Sequence, residues 1–181
     1  ADGALRLAGP GGEISIKPQA TVLALGGASW PQLGSDGAWV PWLQARGVGI
    51  APLQSANCGF EVAWSEHLRD KFAGWPLKSV ALTFADAHGR TEQRQGEMVI
   101  SARGVEGSLI YAFSQRLREH LNAHGSATFT IDLIPGRDFE QVLAQVSHPR
   151  GSRSISSHLK SRLGISGVKV ALLHEVLRKE Q

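Results

Sequence analysis

The residues best suited to ligand chemistry lie in two glycine-containing segments, the first of which reads "ALGGASWPQLGSDGAW" over residues 24–39. It overlaps an apolar run, Thr21 to Leu25, that predicts a strand buried on both faces. Gly26 and Gly27 then remove every side chain, so the backbone can adopt positive φ and a planar or anionic ligand can approach it closely. A tight turn without a ligand is the alternative interpretation, since glycine pairs are common in loops.

The second segment reads "GEMVISARGVEGSLIYAFSQRLRE" over residues 96–119 and joins a predicted strand to a predicted helix. Its loop contains Arg103, Gly104, Glu106 and Gly107. Ser108 is predicted to cap the helix and to leave amide donors at a positively polarised terminus, an arrangement suited to an anionic or carbonyl oxygen. A plain capped turn is again the alternative.

The common catalytic and metal-binding motifs are absent from the sequence, so no catalytic residue is assigned. It contains no GxGxxG, GxxxxGK(S/T), CxxC, HExxH or GxSxG pattern. His120 and His124 have helical spacing, but two ligands at a helix end are too few for a zinc site, and no metal is expected. The single cysteine, Cys58, excludes an intrachain disulfide and is expected to be a small core residue rather than a nucleophile.

Composition predicts a folded protein with an uneven charge distribution. The 181 residues include 42% hydrophobic side chains, enough to bury a core. No apolar run has bilayer length and no secretory leader is visible, so we expect a cytoplasmic location. From Arg137 onward there are eight Lys and Arg residues against four Asp and Glu residues. This basic third indicates either a solvated helical face or an alternative function, a non-enzymatic module whose basic helical cluster docks nucleic acid or a protein.

Residues 1–52 are predicted to form a β-meander followed by a short helix. "ALRLA" and "EISIK" alternate apolar and polar residues as hairpin strands do, and the strand from Thr21 to Leu25 follows them. The helix is expected within residues 36–52, with Gly47 ending it and "GIAPL" forming a strand-like segment. The apolar strand from Thr21 to Leu25 needs neighbouring strands and covering layers that the residues before it do not supply. We therefore expect the chain to be an internal fragment of a larger protein.

Residues 53–134 are predicted to be mainly β, with strands in "NCGFEVAW", "KSVALTFAD", "TEQRQGEMVIS" and "SATFTIDLI". "SEHLRDKFAGWPL" is expected to be a connection rather than a long helix, because it contains Gly74 and Pro76. One crossing helix is predicted from apolar residues that recur every four positions, at Leu109, Phe113, Leu117 and Leu121.

Residues 135–181 are predicted to be helical. Asp138 with Gln141 forms a capping box for "FEQVLAQV", and Ser154 is placed to cap "ISSHLKSRL". A third helix runs through "VKVALLHEVLRK". Together, the three zones predict an α+β chain in which a small barrel or sandwich precedes a helical cluster.

The order of four segments resembles the YhiN/BaiN-like family of FAD-dependent oxidoreductases. These are "ALGGASWPQLGSDGAW", "APLQSANCGF", "GEMVISARGVEGSLIYA" and "IDLIP", and the resemblance spans nearly the whole chain. In that family a strand ends in threonine and two glycines and runs into serine, an aromatic residue, proline and a glycine-serine pair. Here Leu25 replaces the threonine, and the pattern continues through Gly26, Gly27, Ala28, Ser29, Trp30, Pro31, Gly34, Ser35 and Gly37.

The resemblance implies a remnant of an FAD-binding domain over residues 1–52, followed by an inserted β-barrel over 53–134 and a helical bundle over 135–181. It implies FAD as cofactor and hydride transfer to or from a small-molecule substrate, with NAD(P)H as a candidate electron donor and without membrane or nucleic-acid partners. The implied cofactor-binding residues are Gly26, Gly27, Ala28, Ser29, Trp30, Gly34 and Ser35. Arg103, Gly104, Glu106 and Ser108 are the substrate-side candidates.

The sequence departs from the family at the second segment. Where the family has phenylalanine, threonine and histidine before a glycine, this chain has Ile100, Ser101, Ala102 and Arg103 before Gly104. No role that depends on that histidine carries over. The family's fingerprint for the FAD pyrophosphate is expected upstream of Ala1, so the chain alone is expected to fold without retaining stoichiometric flavin.

Overall fold

The computed structural model describes residues 3–179, which belong to two compact units, Ala1–Gln54 and Ser55–Gln181. The fold is α+β, as the sequence predicts. The expected domain boundary between residues 134 and 135 has no counterpart in this division and stays a prediction. The two units are described separately below.

The first unit contains a β-hairpin, a single 3₁₀ turn and a short helix. Strands β1 (Leu5–Gly9) and β2 (Gly12–Ile16) pair antiparallel, with Leu5 opposite Ile16 and Gly9 opposite Gly12. The 3₁₀ turn spans Pro31–Leu33, and helix α1 spans Trp39–Gln44. The predicted hairpin and short helix are confirmed, although all side chains of the two strands are exposed.

The buried strand expected from Thr21 to Leu25 is wrong. This segment has no regular secondary structure, and Val22 is 88% exposed. A strand exists through ladder hydrogen bonds to a neighbour, and within the described part of this unit β1 and β2 pair only with each other. The strand-like segment expected at "GIAPL" is likewise irregular.

The second unit is built on a five-stranded antiparallel sheet. Its strands are β3 (Phe60–Glu61), β4 (Trp75–Ala85), β5 (Thr91–Ser101), β6 (Gly104–Glu106) and β7 (Thr130–Asp132), in the spatial order β3-β6-β5-β4-β7. Strands β4 and β5 form a long hairpin, and the register shifts between Leu77 and Val80, where Ser79 has φ of 50°. The four predicted strand segments are confirmed, whereas β6 was not expected.

Five helices complete the described part of the second unit. They are α2 (Glu66–Phe72), α3 (Ser108–His124), α4 (Phe139–Val146), α5 (Ile155–Leu163) and α6 (Val168–Lys179). The last four helices are confirmed, as are the caps at Asp138 and Ser154: Asp138 Oδ1 accepts a hydrogen bond from the Gln141 amide at 2.7 Å, and Ser154 Oγ accepts one from the Ser157 amide at 3.1 Å. Helix α2 lies in the segment interpreted as a connection. Ser65 caps its seven residues, about two turns, which end before Gly74 and Pro76.

The main core lies between the sheet and α3. Side chains of β4 and β5, such as Leu82 and Ile100, pack against Phe113 and Leu117, all of them at most 1% exposed. A smaller cluster of Leu163, Ile165 and Val170 holds α5 to α6. None of the described helices combines the length and the apolar character needed to cross a membrane.

Candidate functional site

The loop from Gly26 to Gly37 is held by its own backbone hydrogen bonds. The Trp30 amide donates to the Ser35 carbonyl at 3.0 Å, and the Ser35 amide returns a bond to Trp30 at 3.1 Å. A third bond runs from the Gly37 amide to the Gly27 carbonyl at 3.0 Å. Pro31 starts the enclosed 3₁₀ turn, and Gly34 ends it with φ of 82°, a left-handed conformation that suits glycine.

The two adjacent glycines of this loop differ in what they require. Gly26 has φ of 74°, and its carbonyl accepts a hydrogen bond from the Trp39 indole at 3.1 Å. Gly27 does not have positive φ, and a Cβ built there would meet Ser35 Oγ at an ordinary 3.7 Å. The conformation therefore requires glycine at Gly26, whereas Gly27 leaves an open patch of backbone.

The loop presents flat apolar surface beside this bare backbone. Trp30 is 59% exposed and Leu33 is 81% exposed. Ser35 brings the parts of the loop together, because it exchanges two backbone bonds with Trp30 and its Oγ lies 3.7 Å from a Cβ built at Gly27. Chemically, such a surface can stack on a planar ring and donate hydrogen bonds to its heteroatoms.

The segment from Ser101 to Ser108 forms a strand turn rather than an open loop. Strand β6 folds back on β5, with Ser101 opposite Gly104, and pairs on its other side with β3, where Glu61 lies opposite Gly104. The Trp64 indole donates to the Gly104 carbonyl at 3.0 Å. A Cβ at Gly104 would lie 2.0 Å from the Phe60 carbonyl oxygen, so close approach of two backbones requires glycine here.

Arg103 stands at the turn and forms an ion pair with Glu61. Its side chain is 83% exposed and that of Glu61 is 75% exposed, so the pair lies in water within this unit. Both line an open cleft of about 360 Å³, together with Phe60, Ser101 and Glu106. The structure thus gathers Arg103 and Glu106 at one concave surface, and the proposed role of either residue toward a substrate remains a prediction.

The predicted cap at Ser108 is wrong. The cap position belongs to Gly107, which has φ of 100° and makes no side-chain cap, while Ser108 is the first helical residue. The Ser108 hydroxyl instead donates to the Glu97 carbonyl at 3.3 Å. The positive φ of Gly107 and the 3.3 Å between a Cβ built there and the Met98 backbone both disfavour a larger capping residue.

A cluster of charged residues at the β4–β5 turn was not predicted. Arg116 of α3 donates to Asp86 at 3.0 Å and to Glu92 at 2.5 Å. Hydrogen bonds from the Arg90 amide and from Arg116 lower the pKa of Asp86, and bonds from Arg94 and Arg116 lower the pKa of Glu92. The bonds to Asp86 and Glu92 in turn raise the pKa of Arg116. The turn itself could be predicted from the sequence, but its cation lies 30 residues away in the chain.

His120 and His124 lie beside this cluster with their rings stacked, 4.3 Å between centroids. His124 Nδ1 hydrogen-bonds the His120 carbonyl at 2.9 Å, as expected of histidines at a helix end. Across residues 3–179 the structure contains no group of three or more side chains placed to hold a metal ion. Cys58 is half-buried, and its amide and carbonyl both hydrogen-bond the Ser114 hydroxyl.

Comparison with known proteins gives one family match and no match among curated proteins. The model of the HI0933-like protein barrel and H2TH domain matches residues 54–180. The matched region coincides with the second unit, in which a small antiparallel sheet precedes a group of helices. The chain therefore belongs to the HI0933-like family through this barrel and H2TH domain.

Proposed function

We propose that the intact protein is an FAD-dependent oxidoreductase in which the Gly26 to Gly37 loop lies against the flavin. The unit from Ser55 onward would then cover flavin and substrate. The observation that carries the proposal is a rigidly bonded, exposed loop with two successive bare backbone units beside an exposed indole. Family membership supports it, because the resemblance that implies FAD includes the matched region.

The residues of the loop fit a planar cofactor. Gly27 has no neighbour closer than 3.7 Å to a built Cβ, so a ligand could approach its backbone from the open side. Ser29 and Ser35 would supply hydroxyl groups, and Trp30 would supply an apolar face. Bound FAD would supply the hydride chemistry, whereas these residues would bind and orient it.

On the substrate side, Arg103 is proposed to orient an anionic group. Arg103 pairs with Glu61, and both residues line the cleft. When an anionic substrate binds, the Arg103 guanidinium would exchange the Glu61 carboxylate for the anionic group of the substrate. We expect Arg103→Ala to lower kcat/KM about 10- to 100-fold, the loss of one charge-assisted hydrogen bond, while the melting temperature stays unchanged. Arg153→Ala, which removes another exposed cation, is the control and should leave kcat/KM unchanged.

The function is tested on the intact protein purified without added cofactor. We expect one FAD per chain by visible absorbance and bleaching of that absorbance when NADH or NADPH is added without oxygen. A cytoplasmic enzyme would draw on either donor. A colourless protein that binds RNA or DNA with a steep loss of affinity at higher salt would instead support the nucleic-acid module.

A further inference from the structure

A second open cleft lies between three helices of the second unit. Helices α2, α5 and α6 line it, and its volume is about 400 Å³. This volume falls within the range of sites for small organic molecules. It shares no residue with the cleft at Arg103, and we refer to it as the three-helix cleft.

Each helix contributes one basic side chain to the three-helix cleft. These are His67 of α2, Lys160 of α5 and His174 of α6, all exposed. Among the described residues, none of those that line the cleft is an aspartate or a glutamate. Within the described residues Lys160 forms no ion pair, so its ammonium group is available to a ligand. The positive charge of Lys160, with no lining carboxylate opposing it, attracts small anions, and the two imidazoles add hydrogen-bonding groups.

Three serine hydroxyls lie in the same cleft. Ser156 and Ser157 belong to the first turn of α5, and Ser166 precedes α6. Ser157 Oγ accepts a hydrogen bond from Ser154 at 3.0 Å, which leaves its own proton free to donate. With the ammonium group and two imidazoles, the cleft offers six side-chain groups able to donate to oxyanions. A phosphate, with three terminal oxygens, uses such a set more fully than a carboxylate with two.

The remaining wall of the three-helix cleft is apolar. Phe72 and Val170 line it, and Phe72 is fixed by an edge-on contact with Trp75, 5.7 Å between ring centroids. A fixed aromatic ring favours a ligand with an apolar or planar body. We propose that the three-helix cleft binds an organic phosphate, with Lys160 and the serine hydroxyls on the phosphate and Phe72 against its organic body.

Phenyl phosphate is the probe that tests the proposal on this chain. In a titration followed by amide chemical shifts, we expect saturable changes at Ser156, Ser166 and Gly167. Inorganic phosphate should bind the same residues more weakly, because it has no ring for Phe72, and phenol should not bind. Absence of saturation at millimolar phenyl phosphate, or changes centred outside the cleft, would overturn the proposal.

Matched charge variants separate a built site from general attraction to a basic protein. Lys160→Gln should lower the affinity for phenyl phosphate about tenfold, and His174→Gln should also lower it. Lys78→Gln removes the same charge from an exposed position on β4 and should change affinity less than twofold. Equal weakening by Lys160→Gln and Lys78→Gln would show nonspecific attraction and refute the site. Thermal unfolding of each variant checks that the fold is intact.

Discussion

At Gly104 two strand backbones approach so closely that any side chain must displace one of them. The Phe60 carbonyl oxygen lies 2.0 Å from where a Cβ would stand. We expect Gly104→Ala to lower the free energy of unfolding by about 3 kcal/mol, measured with urea. Gly89→Ala is the control: Gly89 also has positive φ, but its surroundings are open, so its cost should be about 1 kcal/mol. Equal costs would show that backbone conformation, not close approach, determines the effect.

Asp86 gives the fold a measurable acid dependence. Because hydrogen bonds from the Arg90 amide and from Arg116 lower its pKa in the folded state, its carboxylate stabilises the fold above the unfolded pKa of about 4. That contribution disappears as the pH falls through the lower folded pKa. The free energy of unfolding should therefore decrease less between neutral and acidic pH in Asp86→Asn than in the wild type. Asp70→Asn, at an exposed carboxylate paired with adjacent Arg69, is the control measured over the same pH range.

Single residues could be predicted from the sequence where the signal is local. The caps at Asp138 and Ser154 lie within three residues of the amides that they bond, and both predictions are confirmed. The cap at Ser108 failed because strand β5 constrains the adjacent Gly107, a contact that no local pattern encodes. The pairing of Arg103 with Glu61 likewise joins residues 42 positions apart.

Among the elements, α2 depends on a contact with α6. Ser65 caps α2. Its amide donates to the Glu175 carboxylate of α6 at 2.8 Å, and its hydroxyl donates to the same carboxylate at 2.5 Å. Glu175 is only 7% exposed. Ser65→Ala should cost about 2 kcal/mol of unfolding free energy, because it removes both a cap and a donor to a buried charge. Ser154→Ala removes a cap and an exposed bond to the Ser157 hydroxyl, but no donor to a buried charge, and should cost about 1 kcal/mol. If the two substitutions cost the same, the bond from the Ser65 hydroxyl to Glu175 contributes nothing to stability, since Ser65→Ala keeps the bond from the amide.

Periodicity predicted the elements whose neighbours lie within the chain. Leu109, Phe113 and Leu117 form the buried face of α3, whereas Leu121, at the end of the same series, is 38% exposed. The apolar run from Thr21 to Leu25 has strand composition but no pairing partner in its unit, and it is irregular. Pattern specifies which face an element would bury, but pairing decides whether a strand forms.

For the whole molecule, family and fold could be inferred from the order of short motifs, and the match over residues 54–180 supports the family. The candidate site was predictable only as two segments. Their local structures, a self-bonded loop and a strand turn, follow from backbone hydrogen bonds that sequence spacing does not reveal. The three-helix cleft was not predicted at all, because its basic residues come from helices widely separated in the chain.

The most direct test of the central claim is the flavin content of the intact protein carrying Gly27→Val. A branched side chain at Gly27 would cover the open backbone patch where the flavin is proposed to lie, without opposing a positive φ. We predict that visible absorbance shows FAD occupancy reduced by more than half, while the unit from Ser55 onward unfolds at an unchanged temperature. Gly49→Val, at an open position of the first unit, should retain wild-type FAD occupancy. Wild-type occupancy in Gly27→Val would contradict the account.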